Sequence, residues 1–362
     1  MLADYALTLL RRLPPEAAQR ATVRGLALGL GPHSHVPDPP RLATRVWGRT
    51  FPNPVGLAAG FDKNAEVADA MLALGFGFVE IGTVTPRPQA GNPKPRLFRL
   101  EEDQGIINRL GFNSEGLAAV QRRLAKRRDR RRIGPGKVGA NIGRNRETGD
   151  EIEDYVQGVR TLAPLVDYLV VNISSPNTPG LRELQRKNAV ERLMERVLPA
   201  RAEVAPRDPP PLLLKIAPDL TQEERADLAQ AALTSQVDGL IVANTTVARP
   251  DTLVSDNAHE PGGLSGRPLR GASTQLIADM ARLTGGRIPI VGVGGISSGA
   301  DAYTKIRAGA SLVQLYTALI FEGPGLVTRI KRELDALLAR DGFASVAEAV
   351  GKAMPRQTEP LL

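Results

Sequence analysis

Short apolar, β-branched runs recur along the chain between longer stretches of helical periodicity. The runs are PVGLAAG (54–60), FVEIGT (78–83), KVGANIG (137–143), YLVVNIS (168–174), LLLKIAP (212–218), GLIVANTT (239–246), PIVGVGG (289–295) and SLVQLYT (311–317). Between them, AEVADAMLALG, DEIEDYVQGVRTLAPL, TQEERADLAQAALTS and SGADAYTKIRAGA carry apolar residues at helical spacing, and several open on Asp, Thr or Ser as caps. Strand and helix alternating at this rhythm imply parallel strands joined by crossovers. Eight such strands, with no dinucleotide fingerprint after the first, predict an α/β fold of the (β/α)8 TIM barrel type, with a doubly wound sheet as the alternative.

Two connections, 84–136 and 245–271, exceed the usual span of about 2–6 residues, so each is expected to carry a site or a lid as well as a helix. Residues 1–40 stand outside the barrel pattern. Leu2, Tyr5, Ala6, Leu9, Leu10 and Leu13 make one apolar face, and after Pro14-Pro15 a second runs through Val23, Leu26, Ala27 and Leu30, with Arg11, Arg12, Arg20 and Arg24 alongside. This predicts an N-terminal helical extension, 1–40, ahead of a barrel domain, 41–362. The extension either packs on its own barrel or lies on a membrane surface.

Composition narrows the chemistry. The 362 residues are 42% hydrophobic and 24% charged, enough to bury a large core. The absence of cysteine removes disulfides, thiolate metal sites and cysteine nucleophiles, and three His make a zinc site unexpected. No apolar run approaches the ~20 residues of a spanning helix, and MLADYALTLLRR puts its charge after the apolar stretch, so neither a membrane span nor export is expected. The net charge of +8 is concentrated in QRRLAKRRDRRR (121–132), which reads as a solvated helix end; no nucleic-acid motif accompanies it.

In a barrel, the C-terminal ends of the strands converge on one mouth. Lys63 follows the first run, Thr83 ends the second and Asn141 lies in the third. Asn172 and Ser175 close the fourth, Lys215 lies in the fifth, and Asn244 and Thr245 end the sixth. The glycine-rich turn GVGGIS (292–297) and Tyr316-Thr317 follow the seventh and eighth strands, where barrels commonly bind phosphate through backbone N–H groups. Amides, two lysines and a phosphate site without metal ligands suggest a phosphorylated cofactor and a flat, carboxylated substrate. A lysine beside a flavin ring can stabilise its reduced form.

The motifs GLAAGFDKN, EIGTVTPRPQAGNPKPRLFRL, INRLGFN, NISSPNTPGLR, KIAPDL, NTT, GGLSGRPL, GVGGI and ASLVQLYTALIF follow one another over residues 56–321. In this order they resemble the quinone-dependent, class 2 dihydroorotate dehydrogenases. The resemblance implies an FMN-containing barrel that oxidises dihydroorotate to orotate in pyrimidine synthesis. It further implies that the electrons pass to a membrane quinone and that the protein sits peripherally on the cytoplasmic side of the cell membrane.

Matched residue by residue, the family's FMN contacts fall on Ala59, Gly60, Lys63, Thr83, Asn141, Asn172, Lys215, Gly266, Gly294, Gly295, Tyr316 and Thr317. Ala243 stands where many relatives carry Thr, so only a backbone contact to the cofactor remains there. The orotate contacts fall on Lys63, Asn108, Arg109, Leu110, Gly111, Phe112, Asn172, Asn177, Asn244 and Thr245, and Arg99 matches an arginine near the quinone tunnel.

By the same resemblance Ser175 is the catalytic base, where class 1 relatives carry Cys. It takes a proton from the ring carbon next to a carbonyl while hydride leaves the neighbouring carbon for the flavin. A serine hydroxyl is a weak base, so a relay is required, and Thr178 on the same loop is the candidate. Pro176 and Pro179 restrict that loop. Two rival readings remain at this level: a class 1-like enzyme using fumarate or a nicotinamide-linked partner, and a non-catalytic barrel.

Overall fold

The computed structural model describes residues 2–129 and 136–353, with the side chains of residues 2–6 left aside. Arg130, Arg131 and Arg132 of the basic run therefore lie outside the described residues, as do residues 354–362 and the side chains of Leu2, Tyr5 and Ala6. Thirteen strands are described: β1 (Thr44–Val46), β2 (Arg49–Phe51), β3 (Val55–Leu57), β4 (Phe78–Val84), β5 (Leu97–Leu100), β6 (Gly105–Asn108), β7 (Lys137–Ile142), β8 (Tyr168–Asn172), β9 (Leu212–Ile216), β10 (Gly239–Val242), β11 (Gly263–Gly266), β12 (Ile290–Val293) and β13 (Ala310–Leu315).

Eight of these close a parallel barrel in the order β3-β4-β7-β8-β9-β10-β12-β13, and each coincides with one of the eight apolar runs. Both faces of a barrel strand are covered, so β4, β8, β9 and β10 are buried at every position. The predicted caps are in place. Asp150 accepts from the amides of Ile152 and Glu153, Thr221 forms a capping box with Glu224, and Ser298 accepts from the Asp301 amide.

The floor of the barrel uses a pattern too short to be predicted. β1 and β2 pair as an antiparallel hairpin whose Val46 and Phe51 pack with Phe78 and Tyr168, the first residues of β4 and β8. Phe51 and Phe78 meet edge to face at 5.5 Å, and Trp47 donates to the Asp238 carbonyl at 2.6 Å. Two glycines make this possible: a Cβ on Gly56 would lie 2.3 Å from the Phe78 ring, and one on Gly139 would lie 2.1 Å from Tyr168.

The two long connections build one structure over the opposite end. β5 and β6 from the first and β11 from the second form a three-stranded antiparallel sheet, with Leu97 opposite Asn108 and Asn108 opposite Gly263. At the N-terminus, α1 (Leu2–Arg12) and α2 (Pro15–Ala27) form the predicted helical pair. Its apolar face is split: Leu9 and Leu13 point outward, 62% and 41% exposed, whereas Leu10, with Leu7, lines a cavity against the barrel. Among the described residues no helix is long and apolar enough to cross a membrane. Three of the four described arginines of the basic run bind the protein itself: Arg123 pairs with Glu115 and Arg127 with Asp69, each at 2.7 Å, and Arg128 donates to the Pro164 carbonyl at 2.8 Å.

Candidate active site

Glu80 sits in the middle of β4 with no exposed surface, and its neighbours across the barrel interior are polar. Asn141 Nδ2 donates to Glu80 Oε1 at 2.8 Å, Gln314 Nε2 donates to Oε2 at 2.7 Å, and Lys215 Nζ stands 3.5 Å from Oε1. A carboxylate only accepts, so it turns the Asn141 amide with its NH2 inward and its oxygen toward the mouth. That oxygen accepts from Thr83 Oγ1 (2.6 Å) and from Asn172 Nδ2 (3.1 Å). Asn172 must then present its own oxygen outward, where the Ser174 hydroxyl donates to it at 2.9 Å, and Asn244 Nδ2 donates to Ser174 Oγ at 2.9 Å. One buried acid thus sets the direction of Asn141, Thr83 and Asn172 on three neighbouring strands, and through them of Ser174 and Asn244.

Above this layer lies a cavity of about 180 Å3. It is lined by most of the residues expected at the site: Ala59, Gly60, Lys63, Thr83, Asn172, Lys215, Ala243, Gly266, Gly294, Gly295, Tyr316 and Thr317 from the cofactor set, with Asn108, Leu110, Gly111, Phe112, Asn177, Asn244 and Thr245 from the substrate set. Ser175 lines it as well. Its Oγ accepts from the Asn177 amide at 3.3 Å. Thr178 is buried, and its Oγ1 has no hydrogen-bond partner among the described residues.

Besides Thr178, two residues expected at the mouth, Asn141 and Arg109, stand outside its lining. Asn141 lies below the cavity, holding Thr83 and Asn172 rather than facing the mouth. Arg109 turns its side chain away, stacking over Phe98 at 4.4 Å and pairing with Glu260 at 2.6 Å, so only its backbone can serve the site. Arg99 lines a second cavity, considered below.

Lys63 carries no hydrogen bond or ion pair among the described residues. The protein packed around it, with the Arg96 charge second, lowers its ammonium to about 8. Nearby, burial raises the Asp62 carboxyl to about 6 against the two amides, Glu66 and Val67, that donate to it.

The loop after β8, which carries Ser175, is held from behind by two arginines. Arg182 donates to the carbonyls of Ser174 (3.2 Å) and Thr245 (3.3 Å) and pairs with Asp219 at 2.9 Å, tying the loops after β8 and β10 together. Arg144 donates to the Pro179 carbonyl at 2.6 Å. Sequence reasoning missed Glu80, Gln314, Ser174, Arg144 and Arg182. Glu80 had a signal, a lone acid inside an apolar run, which must find a partner such as the Lys of LLLKIAP.

The second cavity, about 600 Å3, lies between α1, α2 and the barrel, and its wall is mostly apolar. Leu97, Ile106, Tyr316 and Ile320 line both cavities, so a thin wall separates them. The helical pair is fastened beside this wall. Gln19 Nε2 donates to the carbonyls of Gly60 (3.0 Å) and Phe61 (3.2 Å), and Glu16 takes both a 3.2 Å and a 2.8 Å bond from Arg96. Arg99 Nη1 donates to the carbonyls of Arg11 (2.7 Å) and Leu13 (3.0 Å), satisfying the end of α1.

A closed parallel barrel with lysines and amides gathered at its mouth and a glycine turn after its seventh strand is the architecture of an enzyme that binds a phosphorylated ligand. Residues 41–338 match the family model "Dihydroorotate dehydrogenase". A dihydroorotate dehydrogenase (quinone) of Rhodospirillum rubrum is 58% identical over 353 residues, covering 97% of this chain and 95% of the relative. The mitochondrial dihydroorotate dehydrogenase (quinone) of Mus musculus is 54% identical, with 96% and 89% covered. A crystal structure of the Eimeria tenella enzyme in complex with ferulenol superposes with a TM-score of 0.92 at 45% identity, covering 94% of this chain and 95% of that one. The chain belongs to the dihydroorotate dehydrogenase family and, within it, to the class 2 enzymes.

Proposed function

We propose that the protein oxidises (S)-dihydroorotate to orotate with FMN and hands the electrons to a membrane quinone. The observation that carries this reading is the pair of cavities sharing one wall: a polar mouth open to a water-soluble anion, and an apolar chamber under α1 and α2 suited to a hydrophobic acceptor. On this reading residues 1–40 form the quinone-access and membrane segment, and residues 41–362 the FMN-binding domain.

The donor set suits FMN. Lys63 and Lys215 bring ammonium donors to the centre of the mouth, and Asn172 presents its amide oxygen there. Gly294 and Gly295, with φ of 113° and 70°, form a turn that suits an anion, and Thr317 stands across from it. FMN bound there supplies the two-electron acceptor. Lys63 faces the anionic substrate, and Asn172, Asn177, Asn244 and Thr245 orient its ring through amide and hydroxyl contacts. Ser175 Oγ takes the ring proton as its own hydroxyl hydrogen leaves to water, and Thr178 Oγ1, without a hydrogen-bond partner among the described residues, serves that water relay.

The exposed Leu9, Leu13, Leu28 and Leu30, with the exposed Arg12, Arg20 and Arg24 beside them, support a peripheral contact with an anionic membrane on the cytoplasmic side. Two measurements test the reading. Chromatography of the flavin released on denaturation is expected to give FMN, and FAD or no flavin would end it. Steady-state turnover of dihydroorotate is expected with a quinone and not with fumarate or NAD; the opposite preference would withdraw the acceptor.

A further inference from the structure

Lys305 is used by none of the chemistry above. It lies on the helix Gly299–Arg307 with no exposed surface, facing β12, where a Cβ on Gly292 would stand 3.5 Å from its own. Its Nζ donates to Ser273 Oγ (2.6 Å) and Thr274 Oγ1 (2.9 Å), both near the start of the helix Arg270–Leu283. Aligned peptide dipoles make that end positive, so an ammonium there is repelled.

The charged groups nearest to it are Asp301 on its own helix and Arg270. The Asp301 carboxylate is already engaged by Arg270 at 3.1 Å and by the hydroxyls of Ser297 and Ser298. Beyond them, Glu333 and Arg329 of the helix Leu326–Arg340 face the start of Gly299–Arg307, where Glu333 accepts from the Gly299 amide at 2.7 Å. Three cations, Lys305, Arg270 and Arg329, and the start of the helix Arg270–Leu283 are thus set against two engaged carboxylates, Asp301 and Glu333, which leaves an excess of positive charge around the Gly294-Gly295 turn. Burial lowers the Lys305 ammonium to about 7.

Ser273 connects the lysine to that turn. An ammonium only donates, so Ser273 Oγ must accept from it and send its single hydrogen to the carbonyl of Gly294 (3.0 Å) or of Arg270 (3.1 Å). In the trans Gly294–Gly295 peptide, a carbonyl held toward Ser273 aims the Gly295 N–H the opposite way. A neutral amine could instead accept the serine hydrogen and release the Gly294 carbonyl.

We propose that Lys305 is a positioning residue for the flavin phosphate: its ammonium, acting through Ser273, sets the Gly294–Gly295 peptide toward the anion, and the anion in turn keeps Lys305 charged. This rests on the FMN reading above. The class of ligand is a phosphate monoester dianion, and the ring end of the flavin is not involved.

The test uses the full-length protein freed of flavin by dialysis and titrated with FMN or with riboflavin, which has the same ring and no phosphate. Lys305→Met keeps length and apolar packing. It is expected to weaken FMN about 10-fold and leave riboflavin unchanged. On the unmutated protein at pH 8, calorimetry in buffers of different ionisation enthalpy is expected to show proton uptake with FMN in excess of that with riboflavin. The riboflavin control cancels any contribution from Lys63. This second measurement decides the matter alone if the variant does not fold. Equal effects on both flavins, or equal proton uptake, would overturn the role of Lys305 while leaving the flavin reading intact. Failure of the unmutated protein to bind either flavin would remove the FMN reading itself.

Discussion

Asn141 Nδ2 reaches Glu80 Oε1 at 2.8 Å in the closed interior of the barrel, and that bond fixes which way the Asn172 amide above it points. Lys215, 3.5 Å from the same oxygen, shares the buried charge. Removing one member of a buried pair leaves the other uncompensated, which costs about 3–5 kcal/mol. Glu80→Ala is therefore expected to lower unfolding stability by that order, read by denaturant titration of the fluorescence of Trp47, the chain's one tryptophan. Combining it with Lys215→Met should recover much of the loss. An unchanged midpoint in the single variant would show that the pair contributes nothing to folding.

Ser175 stands at the cavity wall, and among the described residues only the Asn177 amide is bonded to its oxygen. Ser175→Ala should leave flavin and orotate binding nearly intact but slow flavin reduction by dihydroorotate roughly 10²–10⁴-fold in stopped-flow measurements. Thr178→Val should slow it less, because only the onward relay is interrupted. Reduction of Ser175→Ala at the unmutated rate would mean that the proton leaves by another route.

Lys63, with its ammonium lowered to about 8, is a cation below that pH and neutral above it. An anionic ligand binds the cationic form, so orotate affinity should be full below about pH 8. It should then fall as pH rises through that value, by up to about tenfold per unit until the bound-state value is reached. Flavin difference absorbance reports the binding. Lys63→Met should bind orotate weakly with no such slope; the same slope in this variant would assign the titration to a different group.

The N-terminal pair is fastened to the rim of the mouth by Gln19 and by the Glu16–Arg96 pair. A chain beginning at Leu42 should still be reduced by dihydroorotate, yet lose turnover with a long-tailed quinone and bind anionic vesicles less. Normal quinone turnover after this deletion would show that the segment is neither access path nor anchor. Loss of folding would show that Glu16 and Gln19 hold the barrel rim itself.

The sequence by itself determined the eight parallel strands, because each is a short apolar run alternating with helical stretches and both of its faces are buried; closure into a barrel rather than a doubly wound sheet is the pairing of β10 with β12 and of β13 with β3. The sequence also determined the residues at the mouth, since a strand's C-terminal end is read directly from where its apolar run stops. Tertiary structure decided what depends on partners far apart in the chain. The antiparallel sheet over the mouth joins β6 to β11 across more than a hundred residues, and its short strands carry no period of their own. Arg109 turns to Glu260 rather than to the cavity, because a salt bridge and the Phe98 ring outcompete the mouth for its side chain. Asn141 serves the mouth from below for a related reason: an amide takes its direction from its acceptor, and that acceptor, Glu80, lies on a neighbouring strand.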